Sequence, residues 1–250
     1  MTTISHPRIV ILGALSAIAG AAARSWARQG ASLMLVGRDA ARLETVATDL
    51  RLRGATVETA AADLADGNIE QLFTALVARL GGVDIVLLAY GVLGDQVRAE
   101  TDAAEAQRLI GINFTSASRW CLAAANSFEA NGHGTLIVLG SVAGDRGRAS
   151  NYVYGAAKGG LGILVEGIAH RLARYGARAV LIKPGFVDTP MTASIAKKGL
   201  LWAKPETIAR TIVKAGRGST APVVYAPGFW RWVMCVIRHI PATLFHRTRL

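Results

Sequence analysis

The 250-residue chain is 52% hydrophobic and 18% charged, a balance that excludes a disordered protein and leaves ample length for one large core. Its two cysteines, Cys121 and Cys235, have no metal-ligand spacing and form no disulfide framework, which points to a reducing compartment. Net charge is +11, and nine of those charges fall from Lys197 to Leu250, where ten Lys/Arg meet the single acid Glu206. Such a stretch suits phosphate on a lipid, nucleic acid or substrate, or is simply a solvated basic face.

Met1 to Pro7 has none of the parts of a signal peptide. Arg8–Leu12 reads as a first strand, followed by Gly13-Ala14-Leu15-Ser16-Ala17-Ile18-Ala19-Gly20 and an Ala-rich helix to about Gln29. Strand, small-residue turn and helix form the dinucleotide-binding arrangement, with free N–H groups at the helix start facing a pyrophosphate. Ser32–Val36 is a second strand, ending in Gly37-Arg38-Asp39. The guanidinium of Arg38 suits a ribose 2′-phosphate, so NADP is favoured over NAD; Asp39 either caps the next helix, Ala41–Arg53, or reaches the ribose. A third strand spans about Thr56–Ala60, a helix about Ile69–Leu80, and a fourth strand Val83–Leu88. Thr101–Ala130 is helical with a break near Gly111, and Asn113 just past it signals a local backbone irregularity or a bound water.

Thr135–Gly140 is a buried strand with Ser141 at its carboxyl end, where open α/β sheets bind ligands. Tyr154 and Lys158 follow four apart, on one helical face. An ammonium beside a phenol is expected to lower the phenol's pKa and let it exchange a proton with a carbonyl oxygen or an alcohol. Between them lies Val142-Ala143-Gly144-Asp145-Arg146-Gly147-Arg148, whose arginines either contact an anionic substrate group or are solvated. Gly159, Gly160 and Gly162 are poor helix formers and suggest close packing against another helix or a partner subunit. Ala179–Ile182 is a sixth strand, Met191–Trp202 a mobile lid, Pro205–Ala215 a helix and Val223–Tyr225 a last strand. The pattern is a single Rossmann-type α/β domain over 1–226, a seven-stranded parallel sheet with helices on both faces, plus a helical extension over 227–250.

This ordered set resembles the short-chain dehydrogenase/reductase family over about residues 7 to 225, with Ser141, Tyr154 and Lys158 matching its Ser…Tyr-x-x-x-Lys set. The resemblance implies an NAD(P)-dependent enzyme whose fourth catalytic residue is Asn113, supporting a water chain to the lysine. It also implies a cofactor site built from Gly13, Leu15, Ser16, Ile18, Arg38, Asp63, Leu64, Ala89, Gly91, Tyr154, Lys158, Val187 and Thr189, and no metal. Asp63 would take the adenine amino group, and Val187 and Thr189 the nicotinamide. Two departures stand out. Ala17 and Ala19 replace the second and third glycines of the family's turn, which a helical backbone would tolerate. Leu88-Ala89-Tyr90-Gly91 replaces Asn-Asn-Ala-Gly, and Tyr90, with Gly94 four residues on, reads as a core or cofactor-facing tyrosine rather than a second acid.

The tail from Pro227 to Leu250 alternates Phe229, Trp230, Trp232, Val233, Met234, Val236, Ile237 and Ile240 with Arg231, Arg238, His239 and Pro241. No apolar run reaches the roughly 18 residues a spanning helix needs. The tail suits an interfacial helix with peripheral membrane contact, or a helix folded onto the core or a subunit neighbour. The alanine-containing turn after the first strand, Tyr90–Asp95, Ser141–Arg148 and Arg238-His239-Ile240-Pro241 together resemble one subgroup, the reductase subunits of decaprenylphosphoryl-ribose 2′-epimerases. That resemblance implies a polyprenyl-phosphate-linked 2-keto-pentose substrate and a flavoprotein oxidase partner. The other readings are a soluble ketone, steroid or acyl ketone, or a nucleotide-sensing scaffold without turnover. A cytoplasmic homo-oligomer that binds no nucleic acid is expected.

Overall fold

The computed structural model describes residues 6–193, 195, 199–218 and 220–248. Strands and helices alternate: β1 (Arg8–Leu12), α1 (Ala17–Ala27), β2 (Ser32–Gly37), α2 (Ala40–Leu52), β3 (Thr56–Ala61), α3 (Ile69–Arg79) and β4 (Ile85–Leu88). Then come α4 (Gln96–Thr101), α5 (Ala103–Ile110), α6 (Ala117–Asn131), β5 (Thr135–Leu139), α7 (Tyr152–Leu172), β6 (Arg178–Pro184), α8 (Pro205–Gly216) and β7 (Val223–Ala226). Two helices follow, α9 (Trp230–His239) and α10 (Ala242–Phe245).

The strands form one parallel sheet in the order β3-β2-β1-β4-β5-β6-β7. Both of its faces are covered, which is why residues 9–12, 85–88 and 136–139 of the central strands are continuously apolar rather than apolar at alternate positions. Ile9 and Ile11 of β1 point into a core shared with α1, α2 and α8. Val10 and Leu12 point the other way, into a core with α3, α6 and α7. Because β1 lies between β2 and β4, chain order reverses there, and a crevice opens at the carboxyl ends of the strands.

The fourth strand begins at Ile85 rather than Val83. Asp84 interrupts the apolar run, and its buried carboxylate accepts hydrogen bonds from the Arg8 backbone at 2.8 Å and from the Arg8 guanidinium at 2.8 and 3.1 Å. The buried carboxylate is thus satisfied by a guanidinium that itself stays partly exposed. The long helix expected from Thr101 is three pieces: Asp102 caps α5 through the amides of Ala104 and Glu105, and a wide π-helical turn, Gly111–Ser116, joins α5 to α6. The break expected near Gly111 is that turn. Among the described residues no helix is long and apolar enough to cross a membrane.

The tail folds back. Trp230 and Met234 of α9 are buried and make a small third core with Val142, just past β5, joined by Tyr225, Val233 and Ile237. The other side of α9 is open, with Trp232 70% and Val236 66% exposed.

Candidate active site at the carboxyl edge of the sheet

A cleft of about 700 Å³ opens between the ends of β1 and β4 and continues past β5 and β6. Its floor is the turn after β1. The amides of Gly13 and Ala14 both donate to the Val36 carbonyl, at 2.9 and 3.1 Å, which bends the chain sharply out of the strand. Gly13 has φ +86°, and a Cβ there would stand 2.7 Å from the Tyr90 Cβ and 2.8 Å from its backbone nitrogen. Only glycine fits this position. Ala17 and Ala19 are already inside α1, as expected, and Ala19 is fully buried. No side chain caps α1 and no acid lies in its first turn. Its opening N–H groups therefore face the cleft with an uncompensated partial positive charge.

Ser141 and Tyr154 are brought together by glycine. A Cβ on Gly144 would lie 2.7 Å from the Gly159 nitrogen, one on Gly159 2.9 Å from the Gly144 carbonyl oxygen, and one on Gly155 2.8 Å from the Ala143 carbonyl oxygen. The 3₁₀ turn Val142–Asp145 thus lies backbone to backbone against α7. The glycines suggested helix or subunit packing; here Gly155 and Gly159 seat the turn that carries Ser141. Gly160 and Gly162 meet Phe114 and Leu181. Ser141 also accepts from the Ala143 amide at 3.1 Å, which fixes its hydroxyl oxygen.

Lys158 is buried, and its Nζ donates to the Leu139 carbonyl at 3.0 Å and stands 6.0 Å from the Tyr154 ring centroid. Burial pushes this lysine down to about 8, the Cys121 thiol opposing. Burial also pushes the Tyr154 phenol above the ordinary tyrosine range, while its hydrogen bond with Ser141 opposes the rise. The lowering expected from the lysine is therefore corrected: burial sets the direction, and the group that opposes it is the Ser141 hydroxyl.

Asn113 is fully buried in the π-helical turn. Its Nδ2 donates to the carbonyls of Val92 at 2.8 Å and Leu109 at 3.0 Å, and its Oδ1 accepts from the Val92 amide at 3.1 Å. The widened turn spares the Leu109 carbonyl for the side chain, and the side chain ties down the loop after β4. A Cβ on Gly91 would meet Asn113 Oδ1 at 2.6 Å and Lys158 Nζ at 3.5 Å, so both groups crowd one face of that glycine. Asn113 stands behind the cleft wall.

The other expected site residues all border the cleft: Leu15, Ser16, Ile18, Arg38, Asp63, Leu64, Ala89, Val187 and Thr189. Arg38 is exposed at the end of β2, while Asp39 caps α2 by accepting from the Arg42 amide at 3.0 Å. Asp63 accepts from the Ala65 amide at 2.9 Å. The Leu64 carbonyl receives the Trp120 indole N–H at 2.9 Å. Val187 is buried and pairs with Ala203, and Thr192 Oγ1 donates to the Val187 carbonyl at 2.7 Å. Of the lid segment 191–202, residues 194 and 196–198 lie outside the described residues. Tyr90 hydrogen-bonds Ser116 at 2.8 Å and burial raises its pKa, as suits a structural phenol.

Two features were not legible. Arg146 does not face the cleft: its guanidinium donates to the tail carbonyls of Ile237 and, at 2.7 Å, Ile240, and lies 3.8 Å over the Phe245 ring. Asp145, its side chain 1% exposed, holds Lys183 at 2.7 Å and accepts from the Tyr225 hydroxyl at 2.8 Å, whose pKa burial pushes up to about 12. The turn beside Ser141 is thereby tied to β6, β7 and the tail. A lone acid and arginine in a Gly-rich loop carry no sign of partners 38 to 94 residues away.

The family model described as short chain dehydrogenase matches residues 7–199. An uncharacterized oxidoreductase of Streptomyces coelicolor is 35% identical over 240 residues, covering 96% of this chain and 94% of its own. One from Mycobacterium tuberculosis is 37% identical over 243 residues, covering 96% of each. The crystal structure of levodione reductase superimposes with a TM-score of 0.80 at 26% identity, covering 90% of this chain and 97% of that one. With this fold and this match along most of its length, the chain belongs to the short chain dehydrogenase family and is an oxidoreductase.

Proposed function

We propose that the protein is an NADP-preferring ketoreductase that interconverts a ketone and a secondary alcohol. The observation that carries this reading is the convergence of Ser141, Tyr154 and Lys158 on the cleft that also holds the uncapped start of α1. The cleft suits a dinucleotide: Gly13 lets the chain turn sharply out of β1 at its floor, and the α1 amides suit a pyrophosphate. Arg38 is free to take a 2′-phosphate because Asp39 is committed to its cap, which supports NADP over NAD. Asp63 and Leu64 would hold the adenine end, and Val187 and Thr189 the nicotinamide end. When bound, the reduced nicotinamide supplies the hydride that enters the ketone carbon.

Tyr154 gives its hydroxyl proton to the ketone oxygen as negative charge develops there. Ser141, its hydroxyl oxygen fixed by the Ala143 amide, orients the same oxygen. Lys158 adds a positive charge behind the phenol and a donor for the cofactor ribose. Asn113 is a positioning residue, holding Val92 and through it the Gly91 approach. Tyr154→Phe tests the assignment: turnover falls at least about 10³-fold while NADPH still binds, in line with losing a general acid. Near-native turnover would overturn it.

The substrate class is a lipid-linked 2-keto-pentose delivered by a flavoprotein oxidase. It is supported by the likeness of the Tyr90–Asp95, Ser141–Arg148 and 238–241 stretches to that reductase subgroup, and by the open apolar side of α9. The setting that goes with it is a cytoplasmic homo-oligomer touching the inner membrane face through Trp232 and Val236, with no nucleic-acid partner. Removing the whole tail is a poor test, because Trp230, Met234 and Arg146 make it part of the wall beside Ser141. Trp232→Ser with Val236→Ser keeps that wall: vesicle binding should be lost and turnover of a small ketone unchanged.

A further inference from the structure

The segment entering α7 holds two buried polar atoms with no hydrogen-bond partner among the described residues, Arg148 Nε and Asn151 Oδ1. Both residues border the same cleft as Ser141 and Tyr154. They belong to one turn, in which the Asn151 amide donates to the Arg148 carbonyl at 3.1 Å. Asn151 stands at the N-cap of α7, where its side chain would ordinarily accept from the helix, yet it makes no capping bond. The acid that acts on the Arg148 charge is Asp145, already engaged by Lys183 and Tyr225. A half-buried guanidinium without a carboxylate mate, beside a carboxamide oxygen without a donor, is costly unless a ligand completes both.

Building on the ketoreductase reading, we infer that Arg148 and Asn151 form the substrate's specificity subsite, Arg148 binding an anionic group next to the reacting carbon and Asn151 Oδ1 accepting a hydroxyl of the same molecule. The chemistry is that of a hydroxylated ketone carrying a phosphate: a donor for the oxygen, a charge for the guanidinium. A guanidinium offers two parallel N–H groups to such an anion. Arg146, two residues earlier, is spent on the tail, so the two arginines divide the work between shaping the wall and reading the ligand.

The test uses the full chain with NADPH, and two ketoses alike except that one carries a phosphate beside the ketone and the other a methyl ether. Wild type should favour the phosphorylated compound by about 10- to 100-fold in KM, the range of a charge-assisted pair. Arg148→Met should abolish the preference through a rise in KM for the phosphorylated compound, with the KM for NADPH unchanged. Arg148→Lys should restore part of it. A preference that survives in Arg148→Met overturns the inference, as does a loss that falls on NADPH instead. Equilibrium binding of ribose 1-phosphate and of methyl riboside to the NADP⁺-loaded protein reads the subsite without turnover. Asn151→Leu should weaken ribose 1-phosphate more than its dideoxy analogue, and equal weakening removes the hydroxyl contact. Arg148-dependent phosphate binding without reduction of any ketone would sink the ketoreductase reading and leave the subsite standing; equal binding of the two ribose compounds by wild type would sink the subsite alone.

Discussion

Replacing Asn113 with alanine removes three hydrogen bonds at once: two donated, to Val92 O and Leu109 O, and one accepted from Val92 N. The side chain is fully buried, but Val92 borders the cleft, where water can reach it. Each buried group left unsatisfied costs about 1–3 kcal/mol, and with water helping at Val92 the sum is about 2–4 kcal/mol. For a chain of this size each kcal/mol lowers Tm by about 2–4 °C, so Tm should fall by roughly 4–16 °C. The loop that Asn113 holds carries Gly91, so NADPH affinity should fall by about tenfold as well. Scanning calorimetry and fluorescence titration with NADPH read the two effects on one sample. Asn113→Asp should do no better, because at neutral pH it sets a carboxylate oxygen against two carbonyls. An Asn113→Ala protein melting within about 2 °C of wild type, with NADPH affinity intact, would refute the claim that this amide holds the loop.

At Asp84, burial pushes the pKa up, but the Arg8 side-chain and backbone hydrogen bonds outweigh it and hold the carboxyl below its ordinary 3.8. The pair's stabilisation is therefore complete above about pH 4 and lost as pH falls through the folded pKa. Asp84→Asn should cost about 1–3 kcal/mol at pH 7 and remove that acid-limb dependence in urea titrations; an unchanged acid limb would refute it. Lys158 is held at about 8 against 10.5 when free, so folding works against its charge at neutral pH. Lys158→Met should abolish turnover without lowering Tm at pH 7, and any Tm advantage should shrink as pH rises from about 8 to 10.5, where wild type recovers; a lower Tm at pH 7 would contradict this. Gly144→Ala puts a methyl 2.7 Å from the Gly159 nitrogen and must push the Ser141 turn off α7. Turnover should fall by about 100-fold with NADPH affinity retained, the mark of a misplaced orienting group; an affinity loss of the same size would place the damage elsewhere.

The central strands were readable because residues 9–12, 85–88 and 136–139 are apolar and buried on both faces of the sheet; Asp84 breaks such a run, and there the expected start of β4 came two residues early. Asn113 and its backbone irregularity were readable because an amide within an apolar helical stretch needs a reason. The direction of the Tyr154 pKa was not, because a spacing of four reveals a neighbour but not how much water both groups lose. Nor could the sequence separate Arg146 from Arg148: identical side chains two residues apart meet a folded-back tail in one case and the cleft in the other. Such long-range contacts leave no local trace.

The turn after β1 carries a consequence for heat tolerance. Glycine in a family pattern stands for a backbone requirement, and in this chain that requirement is confined to Gly13, where φ is +86°. At Ala17 and Ala19 the chain already follows helical dihedrals, so each added methyl restricts the denatured ensemble without straining the folded one, a gain of about 0.4–1 kcal/mol per site. Reverting both to glycine should make the protein melt earlier with its nucleotide pocket unaltered.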